Sequence, residues 1–146
     1  RTLMIEDLGL DHFITLFFAK LDPETGLWTY INAGHPPGYV LAPDGTVKAE
    51  MMPGTAALGI DREETPLEAA QLTLEKGDLL LLISDGIPEA RNQAGEEFSE
   101  ERVLQIVQRE RSRSSAEIIQ TLMDEARRFA QPEHLQDDMT AVVLKL

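Results

Sequence analysis

The chain has 146 residues, 42% hydrophobic and 27% charged, with 26 acidic against 13 basic side chains, a net charge of −13 and no cysteine. That length fits one domain able to bury roughly 68–70% of its unfolded surface, and the composition is that of a globular chain rather than a disordered one. The longest apolar run, Leu79–Ile83, is far short of the ~20 residues a membrane-spanning helix needs, the missing cysteines exclude disulfides and thiolate chemistry, and the acidity repels polyanions, so neither membrane nor nucleic acid is expected as a partner.

The first half reads as β. Residues 13–21 are rich in β-branched and aromatic side chains and stop at Asp22-Pro23-Glu24-Thr25-Gly26, a turn signal, so 27–32 is the expected return strand of a hairpin with unlike faces. Residues 38–42 give a third strand and Pro43-Asp44-Gly45 a turn. Val47 then leads into an irregular stretch around Met51-Met52-Pro53-Gly54, and Gly59-Ile60 ends the crossing. A short strand at 72–74 and a turn at Lys76-Gly77-Asp78 precede Leu79–Ile83, an apolar strand expected to be buried on both faces at the centre of the sheet. It breaks off at Ser84-Asp85-Gly86, and the polar, turn-rich stretch 87–98 reads as a flap.

From there the period changes. Ser99 caps a helix with Val103, Leu104, Ile106 and Val107 on one face, and Ser114 with Glu117 forms a capping box for a longer helix buried through Ile118, Ile119, Leu122, Met123, Ala126 and Phe129. Pro132 ends that helix, and 139–146 is a final strand. Strands, two helices and a strand together predict an α+β layered domain with helices on antiparallel sheet.

Two motifs place aspartates where the chain leaves or enters a buried strand: Ser84-Asp85-Gly86, and Asp137-Asp138-Met139-Thr140. Carboxylates converging at neighbouring strand ends repel one another unless a cation or a proton lies between them, and hard oxygen donors suit Mg2+ or Mn2+ better than zinc. Taken singly, Asp-Gly after a strand is more often an ordinary turn than a metal site, and Asp-Asp before a strand is equally often a cap or a solvated end. His35 in Asn32-Ala33-Gly34-His35-Pro36 reads as part of a tight strand connection rather than a ligand. Arg91 either meets a phosphate or pairs with Glu89 or Glu96 at the surface. Trp28, Met51 and Met52 read as packing residues.

Taken in order, the segments Phe13-Ile14-Thr15-Leu16-Phe17, Tyr30-Ile31-Asn32-Ala33-Gly34-His35-Pro36-Pro37, Leu58-Gly59-Ile60, Gly77-Asp78, Ser84-Asp85-Gly86-Ile87 with Glu89-Ala90-Arg91-Asn92, and Asp137-Asp138-Met139-Thr140 resemble the SpoIIE-type branch of the PPM (type 2C) serine/threonine protein phosphatases across nearly the whole chain, 1–146. The resemblance implies a β-sandwich flanked by helices in α-β-β-α layers. It also implies hydrolysis of phosphoserine or phosphothreonine on a partner protein, usually an anti-sigma-factor antagonist, with two Mn2+ or Mg2+ ions, in the cytoplasm. By position Asp85 resembles the second metal-binding aspartate of the family and Asp137 the third, with Gly86 and Asp138 beside them in support. The implied chemistry is metal-assisted hydrolysis without a side-chain nucleophile.

One departure stands out. The Gly-Asp-x-x-Gly-(His or Lys)-Gly motif, whose aspartate bridges both ions in the family, is not found: Glu6-Asp7-Leu8-Gly9 and Asp61-Arg62-Glu63 lack the second glycine. The chain therefore reads as a C-terminal portion of the domain that binds metal weakly, with uncovered sheet edges that favour dimerisation or strand exchange. The alternative is a catalytically inactive module that only docks a protein partner.

Overall fold

The computed structural model describes residues 13–60, 66–130 and 137–146. Their elements run β1 (Leu16–Leu21), β2 (Leu27–Ala33), β3 (Gly38–Leu41), β4 (Val47–Met51), β5 (Ala70–Thr73), β6 (Leu79–Ile83), α1 (Glu100–Glu110), α2 (Ser115–Ala130) and β7 (Ala141–Lys145). The chain divides into two compact units, one drawn from Arg1–Pro37 and Met51–Lys76, the other from Gly38–Glu50 and Gly77–Leu146. The result is the α+β fold expected, with two sheets and two helices.

In the first unit the sheet order is β1-β2-β5, with β1 and β2 antiparallel from Leu16↔Ala33 to Leu21↔Trp28. The hairpin closes as expected: Asp22 N–H donates to Leu27 O at 2.9 Å, and Asp22 Oδ1 accepts from Glu24 N at 2.9 Å. Gly26 is required there, since its φ is +70° and a Cβ would lie 2.3 Å from Leu74 O. The first strand starts at Leu16 rather than at 13, because Ile14 leaves it to make an isolated bridge with Leu58. The fifth strand, expected at 72–74, is Ala70–Thr73; Leu74 instead donates its N–H to Gly26 O at 2.9 Å.

In the second unit the order is β4-β3-β6-β7, with β6 inside the sheet between β3 and β7, the central position expected of an all-apolar strand. Side chains alternate along it: Leu79, Leu81 and Ile83 join Tyr39 and Leu41 in a core with Val103, Ile106 and Val107 of α1 and Ile118, Leu122 and Ala126 of α2. Both helices thus lie on one face of this sheet through their apolar stripes. Val47–Met51 is a full strand, so the irregular stretch begins only at Met52, which is 57% exposed while Met51 is fully buried.

Both caps form. Ser99 Oγ accepts from Arg102 N at 3.5 Å, and Ser114 and Glu117 bond reciprocally, Glu117 N–H to Ser114 Oγ at 3.3 Å and Ser114 N–H to Glu117 Oε2 at 3.0 Å. The helix stop assigned to Pro132 lies outside the described residues.

Candidate functional site

Antiparallel pairing of β6 with β7 runs from Leu79↔Lys145 to Ile83↔Ala141, so the point where the chain leaves β6 and the point where it enters β7 fall at the same end of the sheet. The two loops there are clasped. Ser84 N–H donates to Thr140 O at 2.9 Å, Thr140 N–H donates to Ser84 Oγ at 2.9 Å, and Ser84 Oγ–H donates to Asp138 O at 3.1 Å. One hydroxyl thereby serves as donor and acceptor between the segments that carry Asp85 and Asp137.

Gly86 brings them closer. It is buried, and a Cβ built on it would lie 2.4 Å from Asp138 O and 3.3 Å from Asp137 C, so only glycine permits this backbone-to-backbone approach. Asp85, Gly86, Asp137 and Asp138 are therefore gathered at one end of the β6–β7 pair. Asp85 and Asp137 are both exposed, and each turns Oδ1 onto the next backbone N–H, Gly86 N at 3.0 Å and Asp138 N at 2.9 Å. Among the described residues no cationic side chain is ion-paired with either of them. Sequence reasoning passed over Ser84; the available signal was a small hydroxyl residue placed directly at a strand end, ahead of an Asp-Gly.

The stretch after Asp85 is held at its base and exposed at its tip. Glu89 N–H donates to Asp85 O at 3.0 Å, and Ile87, Ala90 and Phe98 are buried. Beyond them Arg91 and Glu97 form an antiparallel bridge, and Asn92 Oδ1 accepts from Ala94 N at 2.9 Å and Glu96 N at 3.0 Å, making a miniature hairpin. Arg91 is ion-paired with Glu97, the surface role expected of it, although with a different partner from the expected Glu89 or Glu96.

In the first unit, Asn32 organises the Asn-Ala-Gly-His-Pro connection: its Nδ2 donates to Met51 O at 3.0 Å and its Oδ1 accepts from His35 N at 3.0 Å. The His35 ring lies against Thr15 Oγ1 at 3.5 Å and edge-on to Phe17, a packing role that agrees with the sequence reading.

The donor set bears on the metal pair that the family resemblance implies. It consists of carboxylate and carbonyl oxygens with no thiolate, which suits Mg2+ or Mn2+. Two carboxylates on abutting loops, with no ion-pair partner among the described residues, also concentrate negative charge that a cation relieves. Among the described residues, however, no group of three or more His, Cys, Asp or Glu is placed to hold a metal ion. Asp85 and Asp137 thus offer two carboxylates of the right chemistry at one end of the β6–β7 pair, fewer donors than a two-ion site needs.

This α+β fold matches that of solved PP2C-class phosphatase domains. The phosphatase domain of the cell-fate determinant SpoIIE of Bacillus subtilis, solved with a fragment of its regulatory domain, matches 99% of this chain and 42% of its own, at 23% identity and a TM-score of 0.74. The catalytic domain of the serine/threonine protein phosphatase PstP, solved in complex with two manganese ions, matches 88% of this chain and 56% of its own, at 21% identity and a TM-score of 0.64. The family model for stage II sporulation protein E (SpoIIE) matches residues 1–146, and the chain belongs to that family. Among curated proteins it is 34% identical over 141 residues to phosphoserine phosphatase RsbU of Bacillus subtilis (strain 168), covering 96% of this chain and 41% of RsbU. The chain thus spans less than half the length of that relative.

Proposed function

We propose that these residues form part of a metal-dependent phosphatase domain that hydrolyses phosphoserine or phosphothreonine on a partner protein, an anti-sigma-factor antagonist, in a bacterial cytoplasm. The observation that carries this reading is the clasp at the end of β6 and β7, which sets the Asp85 and Asp137 loops backbone to backbone around Gly86. RsbU, by name a phosphoserine phosphatase, and the manganese-bound PstP domain support the substrate class and the metal. Asp85 and Asp137 would hold Mn2+ or Mg2+, with Gly86 and Asp138 fixing the loops. When bound, such ions lower the pKa of coordinated water and offset charge developing on phosphoryl oxygens. The chain's own contribution is to orient the two carboxylates. The backbone N–H of the next residue holds Oδ1 of each, which fixes the carboxylate plane without neutralising its charge.

The test is release of phosphate from an aryl phosphate by the parent polypeptide containing these residues, with and without Mn2+. Asp85→Asn and Asp137→Asn are each expected to lower the Mn2+-dependent rate by about 10² or more, since charge stabilisation of the transferred group is lost. Unchanged rates in both would remove the assignment.

For the 146-residue chain itself, calorimetric titration is expected to show weak Mn2+ binding, and a sub-micromolar two-ion site would overturn that expectation.

A further inference from the structure

The second unit carries a groove of about 510 Å3 along α1 and α2, lined by Phe129 above the buried Phe98 and Ile106 and edged by Arg102, Arg109, Glu125 and Arg128. Six of the thirteen cationic side chains fall between residues 102 and 128 and all six are arginine, in a chain where carboxylates outnumber cations two to one. With such an excess of acid, an arginine left without a carboxylate is the informative case. Arg109 is paired, to Glu110 at 2.8 Å and to Glu125 at 2.5 Å. Arg102 and Arg128 are exposed, and among the described residues neither has a carboxylate within 4.0 Å. Arg102 is also oriented: its guanidinium lies over the Phe129 ring, 4.5 Å from the centroid, which fixes the plane of the fork and leaves its N–H edges for a ligand.

We infer that this groove is a docking surface for an acidic segment of a partner protein, its carboxylates received by Arg102 and Arg128. Charge complementarity selects the occupant. A guanidinium fork matches a carboxylate in two parallel hydrogen bonds. The one partly exposed aromatic ring in the groove, Phe129, is already covered by Arg102, which removes the platform that base stacking requires. Docking here is independent of metal and of hydrolysis, so it can fail or succeed apart from the phosphatase reading.

The experiment is fluorescence anisotropy with the 146-residue chain in EDTA, using a fluorescein-labelled peptide of alternating Glu and Leu and its Gln-Leu counterpart. Saturable binding of the Glu-Leu peptide alone is expected, weakened about tenfold or more by Arg102→Gln or Arg128→Gln and by added salt. Arg127→Gln, an exposed arginine outside the groove, is expected to leave it unchanged. Arg128 takes no part in the Phe129 stack, so Arg128→Gln keeps the test valid if Arg102→Gln disturbs folding. No saturable binding, equal affinity for the Gln-Leu peptide, or equal loss in Arg127→Gln would each overturn the proposal.

Discussion

Gly86 and Ser84 determine how closely the Asp85 and Asp137 loops can lie. A methyl group at Gly86 would meet the backbone oxygen of Asp138 at 2.4 Å, and a backbone atom cannot swing aside as a side-chain tip can. Gly86→Ala is therefore expected to lower stability by about 1–3 kcal/mol through overpacking, and to weaken Mn2+ binding further than the loss of stability alone explains, because it parts the loops. Thermal unfolding and calorimetry on the same variant separate the two effects. The aspartates themselves were legible in the sequence, because a charged residue at the end of an all-apolar strand is conspicuous. Ser84 was not, since its role depends on a partner more than fifty residues away, which no local pattern reveals. The Arg91–Glu97 pair was missed for a similar reason: three glutamates lie within reach in sequence, and only the miniature hairpin selects one.

Among the elements, the helices were read most accurately, because capping chemistry is local. Ser99 nevertheless holds an unusual backbone, φ 74° and ψ 150°, the only positive φ outside glycine among the described residues, and its cap bond is long at 3.5 Å. The strain and the weak cap act in opposite directions on substitution. Ser99→Gly is expected to be neutral or stabilising, as glycine accepts the positive φ, whereas Ser99→Ala loses the cap and keeps the strain, at a cost of about 1 kcal/mol or more. Denaturant midpoints for the two variants check the order. The sheet boundaries were read less well. β4 was missed as a strand because Val47–Met51 is mostly exposed and carries two charged residues, so its pairing with β3 comes from the sheet rather than from its own pattern.

At the scale of the molecule, acidity sets the response to pH. Hydrogen bonds from the Ser114 hydroxyl and backbone hold Glu117 below the ordinary carboxylate range, and backbone N–H donors in their turns do the same for Asp22 and Asp44. A carboxyl whose pKa is depressed on folding adds stability above its unfolded value, near 4, and loses it as pH falls through the folded value. Stability is thus expected to be flat near neutrality and to drop below about pH 4, with Glu117→Gln flattening that drop; acid titration followed by circular dichroism reads it. Added salt is expected to raise the melting temperature at neutral pH, because it screens self-repulsion in a chain of net charge −13.

β6 is fastened at its far end as well. Asp78, 1% exposed, is ion-paired with Lys48 at 2.8 Å, while Gly77 N–H donates to Leu146 O and Leu146 N–H to Asp78 O. With Ser84 tied at the other end, a shift of β7 by a single residue would undo both fastenings and turn its apolar side chains to the wrong face. A misaligned product would keep its helices and an ordinary circular dichroism spectrum, yet carry Asp137 out of reach of Asp85. On the proposed site, divalent-ion affinity would then report strand alignment, and a refolded sample could be graded by it where spectroscopy sees no fault.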